Sequence, residues 1–156
     1  MEKYYITRQG KEKLSKDLIE IENELIETNR KMGESVRKDN DLRENPEFME
    51  LRVKVMYDLP KKRKSMLEMY QAAIVIEETD EYINFDGTTV IRGSKVELDF
   101  DGDICEYEIR GTNEGDIENS ILSCNAPLAQ AIIGKKIGNE VIFNGIKVKI
   151  ISVTKL

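Results

Sequence analysis

The sequence predicts an α+β protein, a long antiparallel helical hairpin followed by a smaller sheet-bearing domain. Three features point there. Apolar residues recur in alternating steps of four and three through roughly the first 75 positions, the repeat breaks once near residues 39–47, and after Glu78 short alternating runs are separated by Gly, Asn and Asp.

Leu14, Leu18, Ile21, Leu25 and Met32 form the first stripe, with Thr28 filling its polar gap, so a heptad seam runs from Thr7 to about Val36. Thr7 is the expected N-cap, and Gly10 weakens only the first turns. Ile19 and Ile26 are expected to widen the stripe on one flank, while Glu20, Glu22, Glu24, Glu27 and Lys31 face water. The segment Lys38-Asp39-Asn40-Asp41-Leu42-Arg43-Glu44-Asn45-Pro46 breaks the period and is rich in turn formers. Asn45 suits an N-cap and Pro46 the first position of a second helix. Phe48, Val55, Leu59, Met66, Met69 and Ala73 continue a near-heptad seam to about Val75, with Arg52 and Lys62 at two seam positions. Neither stripe can stay exposed, so the helices fold back on each other. About 30 residues per helix reach roughly 45 Å at 1.5 Å per residue. Pro60 removes one backbone donor and should bend the second helix without breaking it.

Beyond the hairpin, strands are expected at Thr89–Ile91, Lys95–Phe100, Ile104–Arg110, Glu140–Phe143 and Ile146–Val153. Asp101-Gly102-Asp103 and Asn144-Gly145 are turn signals, the second typical of a tight hairpin. A short helix from about Pro127 to Ile133 ends at Gly134. Residues 1–78 carry 16 basic and 17 acidic side chains and residues 79–156 carry 8 and 13, which supports two domains with different roles, 1–78 and 79–156.

Composition removes several kinds of chemistry. There is no histidine, so imidazole acid–base catalysis, Ser-His-Asp triads and most transition-metal sites are excluded. Cys105 and Cys124 form no C-x-x-C pair, sit in apolar settings and read as reduced thiols in or near the core. The formal net charge of −6 argues against a general nucleic-acid binder. No signal peptide or membrane-length apolar run occurs, so the chain is expected in the cytoplasm, away from membranes.

Chemistry therefore falls to carboxylates, lysines or a metal held by oxygen. Asp41 and Glu44 lie three apart, which can bring both carboxylates to one side of a turn. On physical grounds alone they have two readings. Acids before a helix favour its dipole, and Asp39, Asp41 and Glu44 then need be no more than solvated turn residues. Alternatively, one or two carboxylates on a finger complete the shell of a hard divalent cation that another macromolecule supplies; alone they bind Mg²⁺ poorly. Lys61-Lys62-Arg63-Lys64 is likewise either a solvated helix face or a contact for nucleic acid or an acidic partner.

The run Asp41-Leu42-Arg43-Glu44-Asn45-Pro46-Glu47-Phe48 resembles the tip signature of the Gre family of bacterial transcript-cleavage factors. Ile121-Leu122-Ser123-Cys124-Asn125-Ala126-Pro127-Leu128, followed by Gly134-Lys135, is similar to that family's C-terminal block, and Thr7-Arg8-Gln9-Gly10 with Lys13-Leu14 matches near the start. The likeness spans essentially the whole chain and is nearer the less basic of the two main Gre subtypes. It implies an antiparallel coiled coil and an FKBP-like antiparallel sheet domain acting, as a monomer, on bacterial RNA polymerase. In the family the globular domain docks on the beta-prime subunit at the rim of the secondary channel and the coiled coil enters it. By resemblance, Asp41 and Glu44 help hold a second Mg²⁺ that the polymerase mainly binds, two-metal hydrolysis then removes the 3′ end of a backtracked nascent RNA, Arg37 and Arg52 contact that RNA through phosphates, and Asn125, Pro127 and Leu128 serve docking. The chain would be a cofactor of the polymerase, not an enzyme. Asn40 stands where the family has glycine, Phe48 where tyrosine is commoner, Pro60 is unusual and Asp39 adds an acid. Since relatives with highly acidic tips inhibit the polymerase, a channel-binding inhibitor is the alternative. Prolyl isomerase activity is disfavoured, because Phe100, Tyr107 and Phe143 are the only rings between Lys95 and Leu156.

Overall fold

The computed structural model describes residues 3–38 and 45–156. The chain divides into two compact units, Glu12–Ala72 and Met1–Lys11 together with Ala73–Leu156. In the first unit, helix α1 (Arg8–Lys38) places Ile21, Thr28 and Ser35 fully under cover, with Leu14, Leu18, Leu25 and Met32 half-buried between them. Ser35 continues the four–three seam one step past Met32. Ile19 and Ile26 do not widen it. They are 56% and 69% exposed, because a single facing helix covers only one narrow stripe and each sits one residue, about 100°, off that stripe.

Asn45 caps helix α2 (Pro46–Val53) with Pro46 in its first turn, and the helix runs on through a π turn, Lys54–Asp58, into α3 (Leu59–Ala72). The π turn is how the chain accommodates Pro60. Leu59 N–H reaches back five residues to the Lys54 carbonyl, and the wider turn ahead of the proline relieves the clash its ring would make in a regular α-helix. The extra residue also shifts the seam's phase. Leu51 and Arg63, half-buried, take the inward positions, Leu59 is buried, and Arg52 and Lys62 point to solvent. The antiparallel pairing is marked by two ion pairs, Lys54–Glu24 at 2.8 Å and Arg63–Glu22 at 2.9 Å. Both are exposed and contribute little energy.

The second helix ends at Ala72, short of Val75, because Ile74–Val75 is a strand (β2) pairing in parallel with Tyr5–Ile6 (β1). This β-branched run is more at home extended. It buries Val75, and Ile76 at the start of a 3₁₀ turn (Ile76–Glu78) is fully buried. The division between units thus falls after Ala72, where the sequence change had suggested 78, and the first residues of the chain join the globular unit. A short helix, α4 (Asp80–Ile83), follows.

Five strands form the main sheet: β3 (Ser94–Phe100), β4 (Asp103–Arg110), β5 (Ile121–Ser123), β6 (Glu140–Phe143) and β7 (Ile146–Lys155), in the order β5-β4-β3-β7-β6. All neighbours are antiparallel except β4 and β5. Val96 and Leu98 alternate inward with Ile109, Val148 and Ile150, and the core closes over them with Leu128, Ala129 and Ile132 of α5 (Pro127–Ile132). A bulge in the β3–β7 register between Glu97 and Leu98 explains why Val153, three residues after Ile150, is again inward. Both expected hairpin turns form, with positive φ at Asp101 and Gly102 and at Asn144 and Gly145. The strand expected at Thr89–Ile91 reduces to a single bridge, Thr89 to Lys136, although Val90 is buried and bonded on both sides to the Gly134–Lys135 backbone. Cys124 is buried and Cys105 half-buried, both as free thiols.

One carboxylate ties the N-terminal residues to this unit. Glu114 accepts Thr7 N–H at 2.9 Å, Gly111 N–H at 2.7 Å and the Thr7 hydroxyl, while Tyr5 and Thr112 exchange bonds of 3.1 and 2.7 Å. The Thr7 hydroxyl also caps α1 through Gly10 N–H at 3.0 Å. A Cβ on Gly10 would press on the Glu114 carboxylate, so any other residue here must displace that side chain from its bonds to Thr7 and Gly111. Glu114→Ala strands three donors on two buried residues, Thr7 and Gly111, and should lower unfolding free energy by about 3 kcal/mol. Glu114→Gln, which keeps one acceptor oxygen, should lose less. The shift in urea midpoint measures both.

Candidate functional site

The candidate site at the hairpin turn is built from the seam upward. Asn45 and Ser35 are polar yet only 5% and 2% exposed, and they face each other across the two helices. Asn45 Oδ1 accepts Phe48 N–H at 3.0 Å, which caps α2. Its Nδ2 donates to the Ser35 hydroxyl at 2.9 Å and the Ser35 carbonyl at 3.2 Å. One amide therefore satisfies a helix N-terminus, a helix carbonyl and a buried hydroxyl together. Asp41 and Glu44, with Asp39 and Asn40, lie outside the described residues.

Arg37 is exposed in the last turn of α1, two residues past Ser35, where its charge with that of Lys38 complements the helix dipole. Arg52 is exposed on α2, seven residues past Asn45, its Nε 3.5 Å from Met56 Sδ. Both guanidinium groups are thus presented to solvent on helices that the lock holds together. Of the four-residue basic run, Arg63 pairs with Glu22 and Lys61, Lys62 and Lys64 are exposed. No cluster of three or more potential metal-ligating side chains exists among the described residues. Asp41 and Glu44 together would supply carboxylate oxygens only, a donor set that suits a hard cation such as Mg²⁺ but fills part of its shell.

In the globular unit, Asn125 and Pro127 are exposed whereas Leu128 belongs to the core. Leu128 therefore anchors the loop and leaves outward contact to the other two. The loop is held from behind: Ser123 accepts Ala126 N–H at 2.9 Å and Asn125 N–H at 3.3 Å, and Gln130 Nε2 donates to the Cys124 carbonyl at 2.7 Å.

A family profile described as "Transcription elongation factor, GreA/GreB, C-term" matches residues 86–155. The transcription elongation factor GreA of Nautilia profundicola is 33% identical over 153 residues, 95% of this chain and 91% of that protein. The chain belongs to the GreA/GreB family. Another GreA, from Syntrophus aciditrophicus, is 32% identical over 90% of this chain and 86% of its own length. Among solved structures, GreA factor homolog 1 (Gfh1) of Thermus thermophilus aligns over 98% of this chain and 99% of that one, at 16% identity and a TM-score of 0.43. Family membership extends over both units, as the likeness of the three sequence blocks implied. Sequence reading had missed Ser35 and Glu114. The signal for Ser35 was its place on the seam's next step; Glu114 offered none, since Thr7, which supplies two of its three donors, lies 107 residues away in sequence.

Asn45→Ala removes the cap and leaves the Ser35 hydroxyl unpaired, so it should destabilise the hairpin by about 2 kcal/mol. Asn45→Asp, which keeps the capping oxygen and loses the Nδ2 donor, should fall between. Amide hydrogen exchange at Phe48 reads the local effect, accelerating most in the alanine variant.

Proposed function

We propose that this chain is a transcription elongation factor that enters the secondary channel of bacterial RNA polymerase and stimulates the polymerase's own cleavage of backtracked nascent RNA. Membership of the GreA/GreB family over nearly the whole chain supports the elongation role. The observation that carries the finer reading is the buried Ser35–Asn45 lock, which anchors both ends of the segment bearing Asp41 and Glu44. A turn serving only as a connection has little need of such an anchor, since exposed turns hold well enough on backbone chemistry alone. A turn that must offer two carboxylates to a partner needs a fixed base.

In this reading Asp41 and Glu44 contribute oxygens to a Mg²⁺ that the polymerase mainly holds, and that metal supplies charge stabilisation for phosphodiester hydrolysis. Arg37 and Arg52 attract the phosphates of the extruded 3′ RNA, and Asn125 and Pro127 face the polymerase rim on the beta-prime subunit. The reacting centre belongs to the polymerase, so the chain acts as its cofactor rather than as an enzyme. Among the described residues no helix is long and apolar enough to cross a membrane. The additional Asp39 and the Asn40 at the tip motivate a second reading, in which the same insertion blocks the channel and slows synthesis without cleavage.

Backtracked polymerase complexes given Mg²⁺ and this protein should release short 3′ RNA fragments faster than complexes without it. Asp41→Ala with Glu44→Ala should reduce that stimulation roughly tenfold or more, the equivalent of at least about 1.4 kcal/mol in the barrier. Equal cleavage by wild type and double variant sinks the role of the acids. Slowed extension on active complexes, with no cleavage on backtracked ones, selects the blocking reading.

A further inference from the structure

Ile117 is 86% exposed, more than any other large apolar side chain among the described residues. It stands on a 3₁₀ turn (Ile117–Asn119) between β4 and β5. The turn is tightly built. Asp116 and Ile121 exchange backbone bonds of 2.9 and 2.8 Å across its base, Ser120 N–H returns to the Ile117 carbonyl at 3.1 Å, and Asn119 Nδ2 donates to the Asp116 carboxylate at 2.6 Å. Ser120 holds a left-handed conformation, φ 56°, to close it, which is costly for a residue with a side chain. Single exposed apolar residues are ordinary. An isoleucine held out on a fully bonded, strained turn is a different object.

Its place in the fold says what it faces. The turn leads directly into β5, three residues or about 10 Å long, and β5 ends at the Asn125–Pro127 loop. The two ends are also bound laterally, because Gly115 packs against Ser123, where a Cβ would lie 3.1 Å from the Ser123 nitrogen, and the Ser123 hydroxyl accepts Asn125 N–H at 3.3 Å. Ile117 is thus joined to the Asn125–Pro127 loop by the short β5 and the Gly115–Ser123 contact, a span that the roughly 800 Å² covered by a partner in a standard interface can include. Charge narrows the partner. Between Gly111 and Gly134 the sequence has Glu114, Asp116 and Glu118 and not one lysine or arginine. Glu114 is turned inward onto Thr7 and Gly111, so Asp116 and Glu118 form the rim beside Ile117.

We propose that Ile117 is the apolar anchor of this docking surface, inserting into an apolar recess rimmed by basic side chains on RNA polymerase. The inference rests on the polymerase reading above and adds to it the residue that dominates affinity and the chemistry of the surface that receives it. An apolar centre ringed by charge is the arrangement in which one side chain carries much of the binding energy, since the rim keeps water from it.

The test is the affinity of the full chain for core RNA polymerase, measured by titration at two salt concentrations. Ile117→Ser should weaken binding roughly tenfold or more, Ile117→Leu should largely retain it, and Glu118→Lys should weaken it with a smaller salt dependence than the wild type shows. Ile142→Ser, at a position 79% exposed on β6, should bind as the wild type does. Thermal midpoints of the Ile117 variants should match the wild type, because little of that side chain is buried. If the wild type does not bind, the polymerase reading itself fails. If it binds and Ile117→Ser binds equally, the anchor is disproved while that reading stands. Equal losses in the Ser and Leu variants, or in Ile142→Ser, also overturn the anchor.

Discussion

In a hairpin of two helices only one seam is covered, and most of that seam is indifferent to register. Leucine, isoleucine and methionine pack against one another nearly as well when one helix slides past its partner by a turn. Ser35 and Asn45 do not. Each is buried, each carries polar atoms that water cannot reach, and only the observed pairing satisfies them together with Phe48 N–H and the Ser35 carbonyl. Slippage would strand several donors and acceptors at about 1–3 kcal/mol each, which is how a single polar position in a coiled coil specifies alignment. Every functional expectation about the tip depends on this, because Ser35 and Asn45 flank the segment whose sequence bears Asp41 and Glu44.

The globular unit uses the same device where its N-terminal residues return to it. Glu114 gathers the amide and hydroxyl of Thr7 with the amide of Gly111, and the missing Cβ of Gly10 leaves room for that carboxylate. Seen this way, the Thr7-to-Gly10 portion of the family resemblance reflects a contact rather than helix propensity. The Pro60 π turn is a third case of local irregularity with a packing consequence. It keeps the helix unbroken, moves Leu51 into the seam and turns Arg52 outward, so the cation the resemblance associates with RNA is free to meet one.

What could be read in the sequence was whatever is local or periodic. The seam of α1, the Asn45–Pro46 helix start, the Asn144–Gly145 and Asp101–Gly102 hairpins and the Pro127 helix are each decided by residues within a few positions, and all formed as expected. The misses share a different cause. Tyr5–Ile6 and Ile74–Val75 are too short to show a period and become strands only by finding each other across the chain. Ile19 and Ile26 looked like core because apolar character says nothing about how many helices are available to cover it. Among the site residues, Leu128 was legible as part of the loop but not as its buried anchor, since the distinction depends on the sheet beneath it.

In the proposed reading, the division of charge suits the two units to different partners. The hairpin unit, Glu12–Ala72, carries 13 basic and 14 acidic side chains, while the remainder carries 11 and 16. A near-neutral arm with outward Arg37 and Arg52 can approach RNA phosphates without the repulsion that the whole-chain charge of −6 suggests. The acid-rich unit is repelled by nucleic acid and drawn to basic protein surface. An overall acidic protein is therefore compatible with work beside RNA, provided the acidic excess belongs to the part that grips protein. The proposed docking at Ile117 would meet that condition, since this residue stands between Asp116 and Glu118 in the acid-rich unit.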